Sequence, residues 1–414
     1  MNLIFKKLVK LDKKYSKKGK LNSDKLAKDY LKNLQNKPKA LTQVGHILNL
    51  LGERKKSREF YLKALRLDPS NADVHNKIGI SYRVEDKLNK AKFHFKNSIL
   101  ANPKNADVFH NLGNIYRTKK KYSEAIRYFQ KALECHKKKP QNNFLTRPAM
   151  SISKILECIY FDKGKKEYVK NLKRFIKIYG EDIRIATMSS YVSDREKIKN
   201  LHPFCKNPIN YIYKCNLKKI LKNKNISKKD ILDICYKVKT IWEPSSRVTR
   251  GGFQAIDNIF DTKNYEITNL NKTIKNEVSN FFKKFKYKKD LVVKNKPKKY
   301  KIRAWFVQLM SQGFQKSHIH PTAWLSGVFY LNVPKNLKKN QGALKLAQYG
   351  YDYPKKKGMK EFFFKPKNYD LIIFPSSLFH STIPFVSNES RCVIAFDVVP
   401  NKEVSQYFKE QTYF

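Results

Sequence analysis

The chain has 414 residues, 41% hydrophobic and 13% aromatic, which excludes a mainly disordered protein and exceeds what one core usually holds, so two or three domains are expected. Its formal net charge of +54 comes from 88 basic residues of which only 14 are Arg, with the Lys spread through every segment. A protein selected to grip phosphates concentrates its charge and uses Arg for part of it, so the excess reads as compositional bias and nucleic acid is not the favoured partner.

Six cysteines (Cys135, Cys158, Cys205, Cys215, Cys235, Cys392) form no Cys-x-x-Cys pair and read as reduced thiols. The opening Met1-Asn2-Leu3-Ile4-Phe5 has too short an apolar run for a signal peptide. No stretch approaches the roughly 18 apolar residues of a membrane span, and a cytoplasmic location is expected.

Residues 1–36 are Lys-rich and weakly amphipathic, and read as a lead-in helix with Ser23 as an N-cap. Over 37–138 the sequence repeats itself: Asn71-Ala72-Asp73-Val74 recurs as Asn105-Ala106-Asp107-Val108, a step of 34 residues. That period is the one of tetratricopeptide repeats, and three repeats fit it. Gly45, Gly79 and Gly113 take the small position where paired helices touch, while Tyr61, Phe95 and Phe129 take the aromatic one. Pro69 and Pro103 end second helices. Such a solenoid binds a protein or peptide on its concave face, where Asn76, Arg83, Asn111 and Arg117 are candidates.

Residues 139–225 read as a helical cap and linker. Ile152 to Phe161 and Tyr168 to Ile178 flank an Asp162-Lys163-Gly164-Lys165 turn, an antiparallel pair that would close the solenoid, and His202 to Pro208 is turn-rich.

From 226 to 414 the pattern changes. A short helix over 228–242 leads to a loop around Gly251-Gly252, read as mobile. An amphipathic helix over 265–286 carries Ile267, Leu270, Ile274, Val278 and Phe281 or Phe282 on one stripe. Seven short strand patterns then follow, at 300–309, 324–333, 342–348, 361–364, 369–374, 379–385 and 391–399, which argue for a sandwich or open barrel.

Chemistry concentrates in this last region. On a strand, His318 and His320 share a face, a two-point metal chelate, and His380 could join them from a second strand as a third imidazole. Asp352, Glu361 or Glu389 could add a carboxylate, and Gln308, Ser326 and Ser381 are candidates to orient the imidazoles. Arg391, Val393 and Ala395 share a face of the final strand, and the guanidinium fork of Arg391 suits a carboxylate.

The order His318-x-His320-Pro321, the strand Ser326-Gly327-Val328-Phe329-Tyr330-Leu331, Gly342-Ala343-Leu344, the turn Phe374-Pro375-Ser376 before His380, and Arg391 resembles the Fe(II)- and 2-oxoglutarate-dependent dioxygenases over about residues 240–400. It is most similar to a bacterial branch written His-x-His-Pro. The resemblance implies a multidomain chain: an all-α tetratricopeptide-repeat solenoid followed by a double-stranded β-helix (jelly-roll) domain with flanking helices. It implies Fe(II) on His318, His320 and His380, with His320 standing where most members carry Asp or Glu. 2-Oxoglutarate would place its 5-carboxylate on Arg391, with Tyr330 lining its pocket, and dioxygen would hydroxylate a substrate presented by the repeats. The alternatives are a repeat scaffold with an inactive jelly roll, and a cupin-like enzyme using another metal.

Overall fold

A computed structural model of the chain describes residues 37–50, 52–138, 148–179, 182–244, 247–350 and 353–401, together with the backbone of two short strands near the N-terminus. It divides into two compact units, Met1–Lys139 and Pro140–Phe414.

In the first unit, β1 (Ser16–Lys17) and β2 (Lys20–Leu21) pair antiparallel, where a lead-in helix was expected. Gly19, between them in sequence, is a poor helix former. The run from Ser23 lies outside the described residues. Six helices follow: α1 (Pro38–Leu50), α2 (Arg54–Leu67), α3 (Ala72–Val84), α4 (Leu88–Ala101), α5 (Ala106–Thr118) and α6 (Tyr122–Lys138).

The repeated Asn is a helix cap. The Asn71 side chain accepts from the Val74 N–H and that of Asn105 from the Asp107 N–H, satisfying donors that the first turn leaves free. The repeated glycines let paired helices close on an aromatic ring. A Cβ on Gly79 would stand 2.5 Å from Phe95 Cε1, and one on Gly113 2.6 Å from Phe129 Cε1, closer than packed carbons approach. Tyr61, Phe95 and Phe129 are buried, and the second helices stop at Leu67 and Ala101, two residues before Pro69 and Pro103. Of the expected peptide-facing residues, Asn76 is buried and accepts from Asn111 Nδ2 at 3.1 Å.

The second unit opens with α7 (Pro148–Tyr179), two helical runs broken at Gly164, whose φ of 76° and ψ of −174° suit only glycine. Next come α8 (Ile183–Glu196), β3 (Tyr213–Asn216), α9 (Lys218–Lys222), α10 (Lys228–Lys237), β4 (Thr240–Trp242), β5 (Thr249–Ala255), α11 (Tyr265–Lys284) and α12 (Leu291–Lys294). Seven strands complete it: β6 (Tyr300–Gln315), β7 (Leu325–Asn332), β8 (Leu344–Ala347), β9 (Glu361–Phe364), β10 (Asp370–Pro375), β11 (Phe379–Thr382) and β12 (Arg391–Pro400).

These strands form a seven-stranded sheet, β3-β10-β7-β12-β6-β5-β4, and a three-stranded sheet, β11-β8-β9, with every pairing antiparallel: a jelly roll. Period-two alternation sorts its side chains. Val307, Leu309, Val328, Tyr330, Ile372, Phe374 and Val393 point between the sheets. Their neighbours Phe306, Phe329, Ile373, Ile394 and Phe396 point outward, where α11 covers them with Ile267, Leu270, Ile274, Val278 and Phe281. Each such fully buried side chain stabilises the unit by roughly 1.5–3 kcal/mol.

In this unit a loop of the sequence reading becomes a strand. Gly251 and Gly252 lie within β5, not in a mobile loop, because β5 runs close against β6: a Cβ on Gly252 would meet the Gln308 carbonyl oxygen at 2.4 Å. The helices over 148–196 fall in the same unit as the jelly roll and brace the segment leading to β11. Thr187 Oγ1 donates to the Ser377 carbonyl at 2.9 Å, Tyr191 stacks on Tyr353 at 4.7 Å between centroids, and Tyr353 Oη donates to Glu157 Oε2 at 3.1 Å.

Candidate metal centre

His318 and His380 face each other across a two-residue antiparallel bridge, each backbone N–H donating to the other's carbonyl at 3.0 Å. Their ring centroids lie 4.1 Å apart. His320 comes from the same segment as His318, one alternation on, and its ring lies 4.9–5.0 Å from the other two. One nitrogen from each imidazole can be chosen so that all three lie within 4.8 Å of one another. Among the described residues no carboxylate joins the group.

The outer nitrogens are all occupied. Nδ1 of His318 lies 2.7 Å from the Lys316 carbonyl, Nδ1 of His380 3.2 Å from the Leu378 carbonyl, and Nδ1 of His320 2.5 Å from Asp397 Oδ1. Each acceptor selects the Nδ1–H tautomer and leaves Nε2 with its lone pair free, as a metal ligand requires. Asp397 is itself held by Ser326 Oγ at 2.8 Å. Three Nε2 donors at this spacing can bind a divalent metal on one face.

Asp397 therefore bonds the outer nitrogen of His320 and does not join the three-histidine group. Sequence reasoning missed Asp397, although the face through Arg391, Val393 and Ala395 continues to it at the next alternate position. Of the other candidates, Glu361 is engaged by Tyr349, Lys345 and Lys355, and Asp352 lies outside the described residues. Glu389 is exposed and stands outside the three-histidine group. Ser326 acts one step back, through Asp397, and Gln308 turns instead to Ser390 at 3.1 Å.

Burial sets the charge state. The His318 pKa is pushed down to about 3, first by desolvation and then by His320, and His380 lies well below its ordinary value for the same first reason. Buried His202 is likewise pushed down to about 3 by desolvation. These groups stay neutral in the fold while the unfolded chain takes up protons near pH 6.5, so their contribution is complete above that pH and is lost as pH falls toward 3. The urea midpoint of the metal-free chain is expected to drop between pH 7 and pH 4.5. His202→Leu should flatten that slope, and an unchanged slope would overturn the assignment.

Arg391 opens β12 and is the largest fully buried side chain, 1% exposed. Its Nε donates to the Gly342 carbonyl at 3.2 Å and its guanidinium lies 5.0 Å from the centre of the Tyr330 ring. Arg391 Nη1 and the Tyr330 Oη have no hydrogen-bond partner. Burial raises the Tyr330 pKa to about 12, against the pull of Arg391. A guanidinium buried without an anion is costly, and two unsatisfied donors at one place form a cradle for a carboxylate.

A cleft of about 300 Å³ opens over His318 and His320, bounded by Trp305, Asp397, Arg247 and Arg303 among others. Sequence reasoning singled out neither arginine, since they stand 56 residues apart, one just before β5 and one on β6, and only the folded cleft brings both into its wall.

Residues 303–397 match a family model described as "Putative 2OG-Fe(II) oxygenase". Residues 106–138 match one described as "Tetratricopeptide repeat", and residues 45–83 one described as "TPR repeat". A comparison with curated proteins gives no match. Among solved structures, the chain is similar to pilF of Pseudomonas aeruginosa at 18% identity, covering 39% of this chain and 69% of that one with a TM-score of 0.33. MamA is similar at 21% identity, covering 43% and 88% with a TM-score of 0.34. YrrB, titled a TPR protein with an unusual peptide-binding site, is similar at 18% identity, covering 41% and 84% with a TM-score of 0.32. The chain thus joins a region that matches tetratricopeptide repeats to a later one that matches the oxygenase family model.

Proposed function

We propose that the jelly roll is a 2-oxoglutarate- and Fe(II)-dependent oxygenase, with His318, His320 and His380 as the metal ligands. Arg391 and Tyr330 would grip the distal carboxylate of the cosubstrate. The observation that carries this reading is the buried Arg391, whose Nη1 is unpartnered beside an unpartnered Tyr330 hydroxyl, in the barrel that holds the three imidazoles.

The donor set fits the group. Three neutral imidazoles leave the full charge of a divalent ion uncompensated, and a dianionic cosubstrate offsets it. Fe(II) with 2-oxoglutarate and dioxygen supplies oxidation of a C–H bond coupled to loss of carbon dioxide from the cosubstrate. The chain's own residues do the positioning. The Lys316 and Leu378 carbonyls and Asp397 aim the imidazoles, Arg391 sets the register of the cosubstrate, and Trp305 walls the side from which a substrate would enter. Tetratricopeptide repeats commonly bind extended peptides, and a protein or peptide partner for residues 37–138 is part of this reading.

Anaerobic titration of the Fe(II)-loaded chain with 2-oxoglutarate tests it. The weak visible charge-transfer band of the chelate is expected at saturation. Retention of zinc alone, with no band and no response to 2-oxoglutarate, would overturn the proposal in favour of another metal chemistry.

A further inference from the structure

The stretch 226–414 holds 30 Lys but only four Arg, at 247, 250, 303 and 391. Arg391 lies inside the barrel, and Arg247 and Arg303 line the cleft over the histidines, where no Lys contributes to the wall. Arg250 holds the segment that carries Arg247, donating from Nη1 to the carbonyls of Arg247 at 3.0 Å and Thr249 at 2.6 Å. In a chain that meets its general need for positive charge with Lys, this placement calls for what Lys lacks: a planar fork that holds an oxyanion by two parallel bonds.

The two guanidinia are close enough to feel each other. After desolvation, Arg303 is the next influence holding down the Arg247 pKa, with Asp397 opposing it. Both are exposed at the cleft, where two carboxylates, Asp257 and Asp397, also stand, but the guanidinium forks bond neither. Arg303 stands directly across from Asp397 in the β6–β12 ladder, yet Asp397 Oδ1 is taken by His320 and Ser326. Asp257 also lines the cleft, but neither arginine makes an ion pair with it or with any other carboxylate among the described residues. Two exposed guanidinia that bond no carboxylate keep their planar forks free for an oxyanion in the cleft.

We propose that Arg247 and Arg303 form an anion subsite of the cleft, so that the substrate carries a carboxylate or phosphate group beside the carbon to be oxidised. Only the word substrate rests on the oxygenase reading; the anion site itself stands without metal or cosubstrate, and its test uses neither.

The metal-free full-length chain is titrated calorimetrically with inorganic phosphate, N-acetylglutamate amide and N-acetylglutamine amide. The glutamate compound or phosphate is expected to bind, and the neutral glutamine compound is not. In Arg247→Gln/Arg303→Gln the anion affinity should fall at least ~10-fold, consistent with loss of a charge-assisted bond worth about 1.5–3 kcal/mol. Arg247→Lys/Arg303→Lys, which keeps the charge and removes the fork, should lose part of it. Lys288→Gln/Lys289→Gln, on an exposed loop, should retain it. Tighter binding of phosphate identifies a phosphorylated substrate, and tighter binding of the glutamate compound an acidic one. Binding of neither anion, equal binding in the double Gln variant, or an equal loss in the Lys288/Lys289 variant would overturn the proposal. Failure of the Fe(II) titration with anion binding intact would remove the oxygenase reading and leave the anion site.

Discussion

Arg391→Met is expected to weaken 2-oxoglutarate binding at least ~100-fold while leaving the metal-free fold as stable as before, or more stable. The two halves of this expectation have one cause. Arg391 is 1% exposed, and its guanidinium meets only the Gly342 carbonyl and the face of the Tyr330 ring, neither of them an anion. Without a ligand it is a buried charge lacking an anion, and a well-packed apolar side chain of similar volume removes that cost. With the ligand present, the same charge gains a buried, charge-assisted pair, and breaking such a pair costs about 3–5 kcal/mol, or roughly two to three and a half decades in affinity. Calorimetric titration of the metal-loaded variant reads the first half, and urea unfolding of the metal-free variant the second. A destabilisation beyond ~2 kcal/mol would show that Arg391 serves the fold rather than a ligand.

His380→Ala should abolish stable metal binding, whereas Asp397→Asn should only weaken it. Removing His380 leaves two imidazoles from one short segment and opens the face that three donors close. The loss should exceed ~1,000-fold and leave no metal on the chain after gel filtration. Asn at 397 can still accept from His320 Nδ1, so the tautomer and ring position persist and only the charge of the acceptor is lost. Replacing such an orienting partner typically costs 10–100-fold in metal affinity. Competition with a chromophoric chelator, using Co(II), measures both. Equal affinities in the two variants would contradict the division between ligand and orienting residue.

Much of this site was legible before any coordinates. The alternation of His318 and His320 about Ile319 is local, as is the 34-residue step that sets Gly79 against Phe95 and Gly113 against Phe129. Hydrophobic alternation likewise marks the seven strands from β6 to β12, because apolar and polar positions within a few residues decide which face is buried. Short strands with weak alternation went unread. β3 and β4 have four and three residues, and β5 carries two glycines that look like a loop until β6 is laid against them.

By itself, then, the amino-acid order determined the repeat solenoid, the jelly-roll strands and the His318–His320 pair, each written in spacings of two to 34 residues, and offered His380 and Arg391 as candidates from later strands. Only the tertiary structure decided what surrounds them. Asp397 meets His320 from 77 positions away, and Arg247, just before β5, lines one cleft with Arg303 of β6. The helices over 148–196 turn to the jelly roll through contacts such as Thr187 with Ser377, 190 positions apart. Those meetings depend on strand register and helix packing, where a slip of one residue would turn each side chain to the opposite face, and no local pattern encodes which distant partner a face will find.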